Sequence, residues 1–241
     1  MSEPLLVAHR GGAAEAPENT LAAFRRALSL GVRWFELDVQ MSRDGELVVI
    51  HDHTVDRTTN GTGEVGSLSL QDLRKLDSGS WFDPHYRGEP VPTLREMLEL
   101  CASHGAGVLV EMKSPHLYPG IEQKVATLLG EMRVQGAHDF WCISFDHADI
   151  DRLHEIDPTL PLGYLYTSFV TDFVPTTQAV QAACPHFSTV STFPAQVEQA
   201  HQLGKRVFTW TVNTEPEMKL MAQLGVDAII TDRPSLFLSI Q

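Results

Sequence analysis

The chain has 241 residues, 43% of them hydrophobic, which is enough for a sizeable core and an ordinary length for one α/β barrel domain. Its formal net charge of −13 argues against a general binder of nucleic acid or anionic membranes, because both need clustered Lys and Arg. An anionic substrate would therefore need a local positive site or a metal, held against the global field.

Met1-Ser2-Glu3-Pro4 and the residues after it lack a basic leader and a long apolar core, and no apolar run is long enough to span a bilayer. A soluble cytoplasmic protein is the simplest expectation. Leu5–Ala8 reads as a first strand. Pro17-Glu18-Asn19-Thr20 then opens a helix, with Asn19 or Thr20 as its cap, and Leu21, Phe24, Ala27 and Leu28 recur at helical spacing until Gly31 stops it. Arg33–Val39 is the second strand. Leu47–Ile50 follows after only a short link around Asp44-Gly45, too short for a parallel crossover, so the pair is expected to form an antiparallel hairpin that sets His51 roughly opposite Asp38. Residues 53–90 are rich in Gly, Ser, Thr and Asp, with a short helical piece around Leu70–Leu76. They break the rhythm and read as a small cap within the domain. Further strands are expected at Gly107–Met112, Phe140–Phe145, Leu162–Tyr166, Phe187–Val190, Val207–Thr211 and Asp227–Thr231. Helices between them include Leu94–Ser103, Ile121–Val134 and Pro216–Leu224. This alternation implies a parallel sheet, and eight parallel strands are the number a closed (β/α)8 barrel requires. No internal repeat or low-complexity segment interrupts it. Cys101, Cys142 and Cys184 lie far apart in apolar segments and read as buried, reduced thiols.

The residues that can do chemistry cluster at expected strand ends. His9 leads into Arg10-Gly11-Gly12 where the first strand leaves the sheet. Catalytic groups of barrels collect there, and paired glycines admit a ligand close to the backbone. A lone histidine at such a place is more often structural; Arg10, the glycines and a second histidine reverse that preference. Glu36 and Asp38 alternate along their strand and share a face, as do Glu111 and Lys113. Carboxylates gathered inside a barrel need a cation or proton. Three of them, Glu36, Asp38 and Glu111, with no cysteine nearby, favour a hard ion, Mg²⁺ or Ca²⁺, over zinc. Single salt bridges to Arg10, Arg33 or Lys113 are the bland alternative. Lys113 can neutralise a phosphate oxygen or simply pair with Glu111.

His51 faces the same site if the hairpin keeps register; His53 reads as a surface or cap residue. Asp52 can orient a neighbour or bind the insertion. Trp210 is by default a core residue, placed where it can also pack against a glycerol or alcohol moiety. Asn213 can bond substrate or turn the chain, Thr231-Asp232-Arg233-Pro234 reads as structural, and His104, His138 and His201 read as bland.

These pieces together resemble the glycerophosphodiester phosphodiesterases. The resemblance rests on His9-Arg10-Gly11, Pro17-Glu18-Asn19-Thr20, Glu36-Leu37-Asp38-Val39, Asp44-Gly45, Val49-Ile50-His51-Asp52, Arg57-Thr58-Thr59-Asn60-Gly61, Glu111-Met112-Lys113, Trp210-Thr211-Val212-Asn213 and Thr231-Asp232-Arg233-Pro234. It covers essentially the whole chain, and the combined N-terminal pattern is specific. It implies a TIM-like (β/α)8 barrel with a hairpin and a small insertion after the second strand, and one divalent cation on Glu36, Asp38 and Glu111. It implies His9 and His51 as the acid–base pair, Arg10 and Lys113 on phosphate, and Trp210 beside the glycerol or leaving group.

The expected reaction is hydrolysis of sn-glycerol-3-phosphodiesters to glycerol 3-phosphate and an alcohol, with a small-molecule substrate and neither nucleic acid nor stable membrane association. A lysophospholipase D-like activity on acylated substrates and a non-catalytic phosphate-binding barrel are the alternatives.

Overall fold

A computed structural model describes residues 3–134, 136, 139–167 and 174–240 of the chain. Its strands are β1 (Leu5–Ala8), β2 (Trp34–Met41), β3 (Leu47–Val49), β4 (Gly107–Met112), β5 (Phe140–Ser144), β6 (Leu162–Tyr166), β7 (Ala182–Pro185), β8 (Arg206–Thr209) and β9 (Ala228–Thr231). All but β3 run parallel, and pairing of β1 with both β9 and β2 closes them into an eight-stranded barrel. β3 turns back antiparallel along the end of β2, pairing Val39 with Val49 and Met41 with Leu47.

The helices are α1 (Leu21–Ser29), α2 (Leu70–Leu73), α3 (Leu94–Ser103), α4 (Ile121–Val134), α5 (His147–Ile156), α6 (Phe187–Thr192), α7 (Ala195–Gln202), α8 (Glu215–Gln223) and α9 (Pro234–Ser239). Thr20 caps α1, accepting from Ala23 N, and Thr93 and Glu96 form a capping box at α3. Among the described residues no helix is long and apolar enough to cross a membrane. Met1, Ser2 and His138 lie outside the described residues.

Strand alternation sorts the side chains. On β2, Phe35, Leu37 and Val39 point outward into the core beneath the helices, where Phe35 stacks on Phe24 of α1 at 4.7 Å. Between them Glu36 and Asp38 are directed the other way. The barrel interior is packed by Val7, Leu109, Trp141, Ile143, Phe208 and Ile230 among others, so its lower part is solid. Residues 53–90 carry α2 and two single 3-10 turns, and pack Val55, Val65 and Leu73 against Val48 and Ile50 of the hairpin.

One strand lies elsewhere than expected. Phe187–Val190 belongs to α6, and the sixth barrel strand is the preceding Ala182–Pro185, β7. Phe, Thr and Val have the stronger intrinsic strand preference, but packing decides. Here β6 and β7 approach so closely that a Cβ on Gly163 would lie 2.9 Å from Cys184 Sγ and 3.2 Å from Ala182 Cβ. Only small residues fit that position in the barrel wall. His186 then caps α6 through Ser188 N.

Candidate active site

β1 and β9 pair with Ala8 opposite Thr231, so His9 and Asp232 leave the barrel side by side. Asp232 Oδ1 lies 2.6 Å from His9 Nδ1, and Asp232 Oδ2 accepts from Asn213 Nδ2 at 2.6 Å. After His9 the chain makes one 3-10 turn. Arg10 sits in the left-handed region at φ 52°, as does Gly11 at φ 85°. A Cβ at Gly11 would come within 2.7 Å of the Phe24 ring, so only glycine lets this turn settle onto α1. The strained Arg10 backbone aims its N–H at Glu36 Oε2, 3.1 Å away.

Adjacent strands supply the acids. β2 and β4 pair with Asp38 opposite Glu111, and Glu36 stands one inward position earlier on β2. One carboxylate oxygen from each of the three lies within 4.8 Å of the others, and all three residues are buried. Burial and the Asp38 charge push the Glu36 carboxyl up to about 8. Burial and Asp38 also raise Glu111 against the pull of Lys113. Burial would raise Asp38 too, but Arg10, His51 and Lys113 hold it below its ordinary value.

Lys113 Nζ contacts Glu111 Oε1 at 2.6 Å and lies 3.8 Å from Asp38 Oδ1; Arg10 Nε lies 3.1 Å from Asp38 Oδ2. The bland pairings are therefore real, yet they leave the cluster incomplete. Glu36 Oε1 and Asp38 Oδ1 are buried without a hydrogen-bond partner. Orphaned oxygens on two of three converging carboxylates, with no thiolate among the three, fit a hard divalent cation.

Both histidines have a carboxylate on Nδ1: Asp232 for His9, and Asp52 for His51 at 2.6 Å. With an anionic acceptor there, Nδ1 carries the proton and Nε2 is left for chemistry. Burial lowers the His9 pKa, but Glu36 and Asp232 outweigh it and raise it overall. For His51, burial with Arg10 and Lys113 outweighs Asp38 and lowers the pKa. The hairpin sets Ile50 opposite Asp38, with Ile50 N donating to Asp38 O at 3.0 Å, and His51 follows one residue on.

His9, Arg10, Glu36, His51, Glu111, Lys113 and Trp210 line one cavity of about 90 Å³, together with apolar Ile143, Phe145, Leu165 and Ile230. Asp38 lies beneath it, wholly buried. Trp210 Nε1 donates to Cys184 O at 2.8 Å, which fixes the indole edge-on to Phe145, ring centres 5.3 Å apart. A cleft of about 590 Å³ shares Glu111, Lys113 and Phe145 with the cavity and opens outward past His116 and Asp146.

The structure thus brings every candidate site residue into one place. His53 is exposed and outside the cavity lining. His104 bonds Leu100 O within its own helix end, and His201 bonds Asp227. All three cysteines are free and buried, and burial pushes the Cys101 thiol up to about 12.

Residues the sequence did not single out hold the site together. Asp232, read as structural, contacts His9. Asn19, weighed only as a cap, donates to Asp38 Oδ2 at 2.8 Å from a left-handed backbone at φ 59°. Glu18 accepts from both Arg10 and Arg57. An acid at the end of the last strand was the available signal for Asp232, since barrel closure must set that end beside the first.

Residues 9–236 match the glycerophosphoryl diester phosphodiesterase family. The chain belongs to this family. The glycerophosphodiester phosphodiesterase of Caldanaerobacter subterraneus subsp. tengcongensis is 39% identical over 98% of the chain and 97% of that protein. The Bacillus subtilis glycerophosphodiester phosphodiesterase is 35% identical over 97% of the chain and 85% of that protein. Among solved structures, glycerophosphodiester phosphodiesterase from Agrobacterium tumefaciens superposes with TM-score 0.84 at 33% identity, covering 98% of this chain and 99% of that one. An Oleispira antarctica phosphodiesterase, solved with the product sn-glycerol-3-phosphate, gives TM-score 0.87 at 29% identity, with coverage of 99% and 96%. The family match begins at His9 and so takes in every residue of the cavity. As a phosphodiesterase of this family, the chain has a barrel mouth whose charges suit a phosphate diester: fixed cations above, converging carboxylates below.

Proposed function

We propose that this protein hydrolyses sn-glycerol-3-phosphodiesters, the deacylated remnants of phospholipids, to sn-glycerol 3-phosphate and an alcohol. The observation that carries this reading is one cavity lined by two imidazoles, each with its Nδ1 tied to a carboxylate, above a three-carboxylate cluster with orphaned oxygens. The product bound to the Oleispira antarctica relative supports the glycerol phosphate half of the substrate.

Glu36, Asp38 and Glu111 would hold one divalent cation, Mg²⁺ or Ca²⁺, which when bound polarises a phosphoryl oxygen and offsets charge growing there. Arg10 and Lys113 bind the phosphate with fixed positive charge; carboxylate neighbours keep both cationic despite their burial. One imidazole Nε2 takes the proton of the attacking oxygen as its new bond to phosphorus forms. The other Nε2 gives a proton to the departing alcohol oxygen as the old P–O bond breaks. Each such assistance contributes about 10²–10⁴-fold. Trp210 and Phe145 offer an apolar wall to the carbon skeleton beside the phosphate.

On this proposal the chain is one catalytic domain with residues 53–90 inserted beside the site. Buried free thiols support a reducing, cytoplasmic setting. The experiment is release of glycerol 3-phosphate from a panel of glycerophosphodiesters, with a lysolipid as comparison, in chelator and after Mg²⁺ or Ca²⁺ add-back. His9→Ala and His51→Ala should each abolish metal-dependent release. Full activity in both variants, or no release from any diester, would sink the proposal. Incorporation of solvent oxygen into glycerol 3-phosphate, set against trapping of a cyclic phosphate, separates attack by water from attack by the substrate's own hydroxyl.

A further inference from the structure

Arg57 stands outside the cavity, yet it joins the two arms of the site. Its side chain reaches in from the insertion and spends four hydrogen bonds on two carboxylates. Nε and Nη2 donate to Asp52 at 2.7 and 3.0 Å, and Nη1 and Nη2 donate to Glu18 at 2.9 and 2.8 Å. Beyond Asp52 lies His51 Nδ1 at 2.6 Å. Beyond Glu18 lies Arg10 Nη1 at 3.0 Å, and Arg10 Nε is 3.1 Å from Asp38. One planar fork therefore spans from the second imidazole to the phosphate-binding arginine.

We propose that Arg57 is a positioning residue for the reaction: it locks Asp52, and through Asp52 the orientation and Nδ1-protonated form of His51, while setting Glu18 against Arg10. The inference rests on the phosphodiesterase reading above.

Two features separate this role from general stabilisation. First, the backbone around His51 is already held by other means. The two N–H groups of Gln40 Nε2 are shared among the carbonyls of Ile50, His51 and Asp52, which lie 2.9, 2.9 and 2.5 Å away, and Tyr118 Oη donates to Gln40 Oε1 at 2.6 Å. Arg57 adds nothing there; it acts on the Asp52 side chain. Second, Arg57 is 43% exposed and Asp52 29%, so neither is pinned by packing. A partly exposed aspartate without its cation would swing into water and release His51. By contrast His9 has its own anchor in Asp232 and Asn213, independent of the insertion. The fork geometry matters as well, because an ammonium cannot serve two carboxylates bidentately in one plane.

Arg57→Lys and Arg57→Ala test the inference. Outer partners of this kind typically cost about 10–100-fold when removed. We expect kcat to fall by that order in both variants with KM for glycerophosphocholine within about three-fold, and added guanidinium ion to recover part of kcat in Arg57→Ala but not to raise the wild type. In nitrogen-15 spectra of the imidazoles, the His51 ring should lose its fixed Nδ1–H form in both variants while the His9 ring keeps its own. Wild-type kcat in Arg57→Lys together with an unchanged His51 ring would overturn the proposal, even if Arg57→Ala does not fold. A wild-type protein that turns over no diester, but whose His51 ring changes in Arg57→Lys, would sink the phosphodiesterase reading and leave the positioning role standing.

Discussion

His9 and Asp232 are separated by 223 residues of chain and by 2.6 Å in space. The contact exists because the first strand pairs with the last, Ala8 against Thr231, and the next residue of each strand is a member of the pair. Closure of the barrel thus assembles half of the proton-transfer apparatus. His9 in turn holds Asp232 below its ordinary pKa against the effect of burial, so the carboxylate stays ionised beside the ring.

This pairing makes Asp232→Asn a clean probe. The amide keeps shape and volume but can donate to Nδ1, which favours the wrong tautomer and turns the acceptor nitrogen away from chemistry. We expect kcat to fall by about 10²–10⁴-fold with KM and thermal midpoint little changed. A variant with near wild-type kcat would remove Asp232 from the mechanism.

Metal addition should be visible without turnover. A cation that binds only the folded state at a hundred times its Kd stabilises by ~2.7 kcal/mol, or roughly 5–11 °C at about 2–4 °C per kcal/mol for a chain of this size. Glu36 supplies the sign in the metal-free state. Its carboxyl is pushed up to about 8 from an ordinary 4.5, so between those values the folded protein binds the extra proton and loses stability as pH rises. Differential scanning calorimetry of chelated protein from pH 5 to 8 should show that decline, and Glu36→Gln should flatten it while abolishing the metal response. A metal-induced shift that persists in Glu36→Gln would place the ion elsewhere.

Glu18 predicts the opposite slope at lower pH. Burial alone would raise its pKa, but hydrogen bonds from Arg57 and the charge of Arg10 hold it below 4.5. Its stabilising contribution is complete above 4.5 and disappears as pH falls through the depressed folded value. Glu18→Gln should therefore cost stability at pH 7 and blunt the acid limb of the unfolding curve below pH 4.5. The cost should stay under the ~3–5 kcal/mol of a broken, fully buried pair, because Arg57 is 43% exposed. Identical acid limbs in the two proteins would show that this network does not govern acid stability.

Legibility in the sequence followed the range of the interaction involved. Helix limits set by local capping and periodicity, as at Leu94–Ser103 and Ile121–Val134, match the structure residue for residue. Glu36, Asp38 and Glu111 were found because strand alternation is a local rule. Residues 182–190 are not legible locally, because the small-residue strand at Ala182–Pro185 is demanded by the neighbouring strand, not by its own propensities. Asp232, Glu18 and Arg57 were not singled out because their partners arrive through barrel closure and through the insertion, neither of which leaves a local spacing. Asp52 is intermediate. Both roles weighed for it hold at once, since it binds His51 and the insertion's Arg57.

The turn after His9 depends on one glycine. At φ 85° Gly11 occupies a region that side chains avoid, and an added Cβ would meet Phe24 Cδ2 at 2.7 Å and Ala23 Cβ at 2.8 Å. Neither can retreat, because both are fully buried under the barrel wall. Gly11→Ala should destabilise by about 1–3 kcal/mol from overpacking alone, with left-handed strain added. The displaced turn also carries Arg10 N away from Glu36 and shifts Arg10 relative to Asp38. Activity should therefore fall even well below the melting temperature, with KM for the diester rising as the phosphate loses its arginine. Gly31→Ala is the control: its φ is 93°, but a Cβ there meets nothing within 4 Å. It should cost backbone strain, lower the thermal midpoint and leave kcat and KM at wild-type values. Equal kinetic damage from both substitutions would mean that the glycine turn does not aim Arg10.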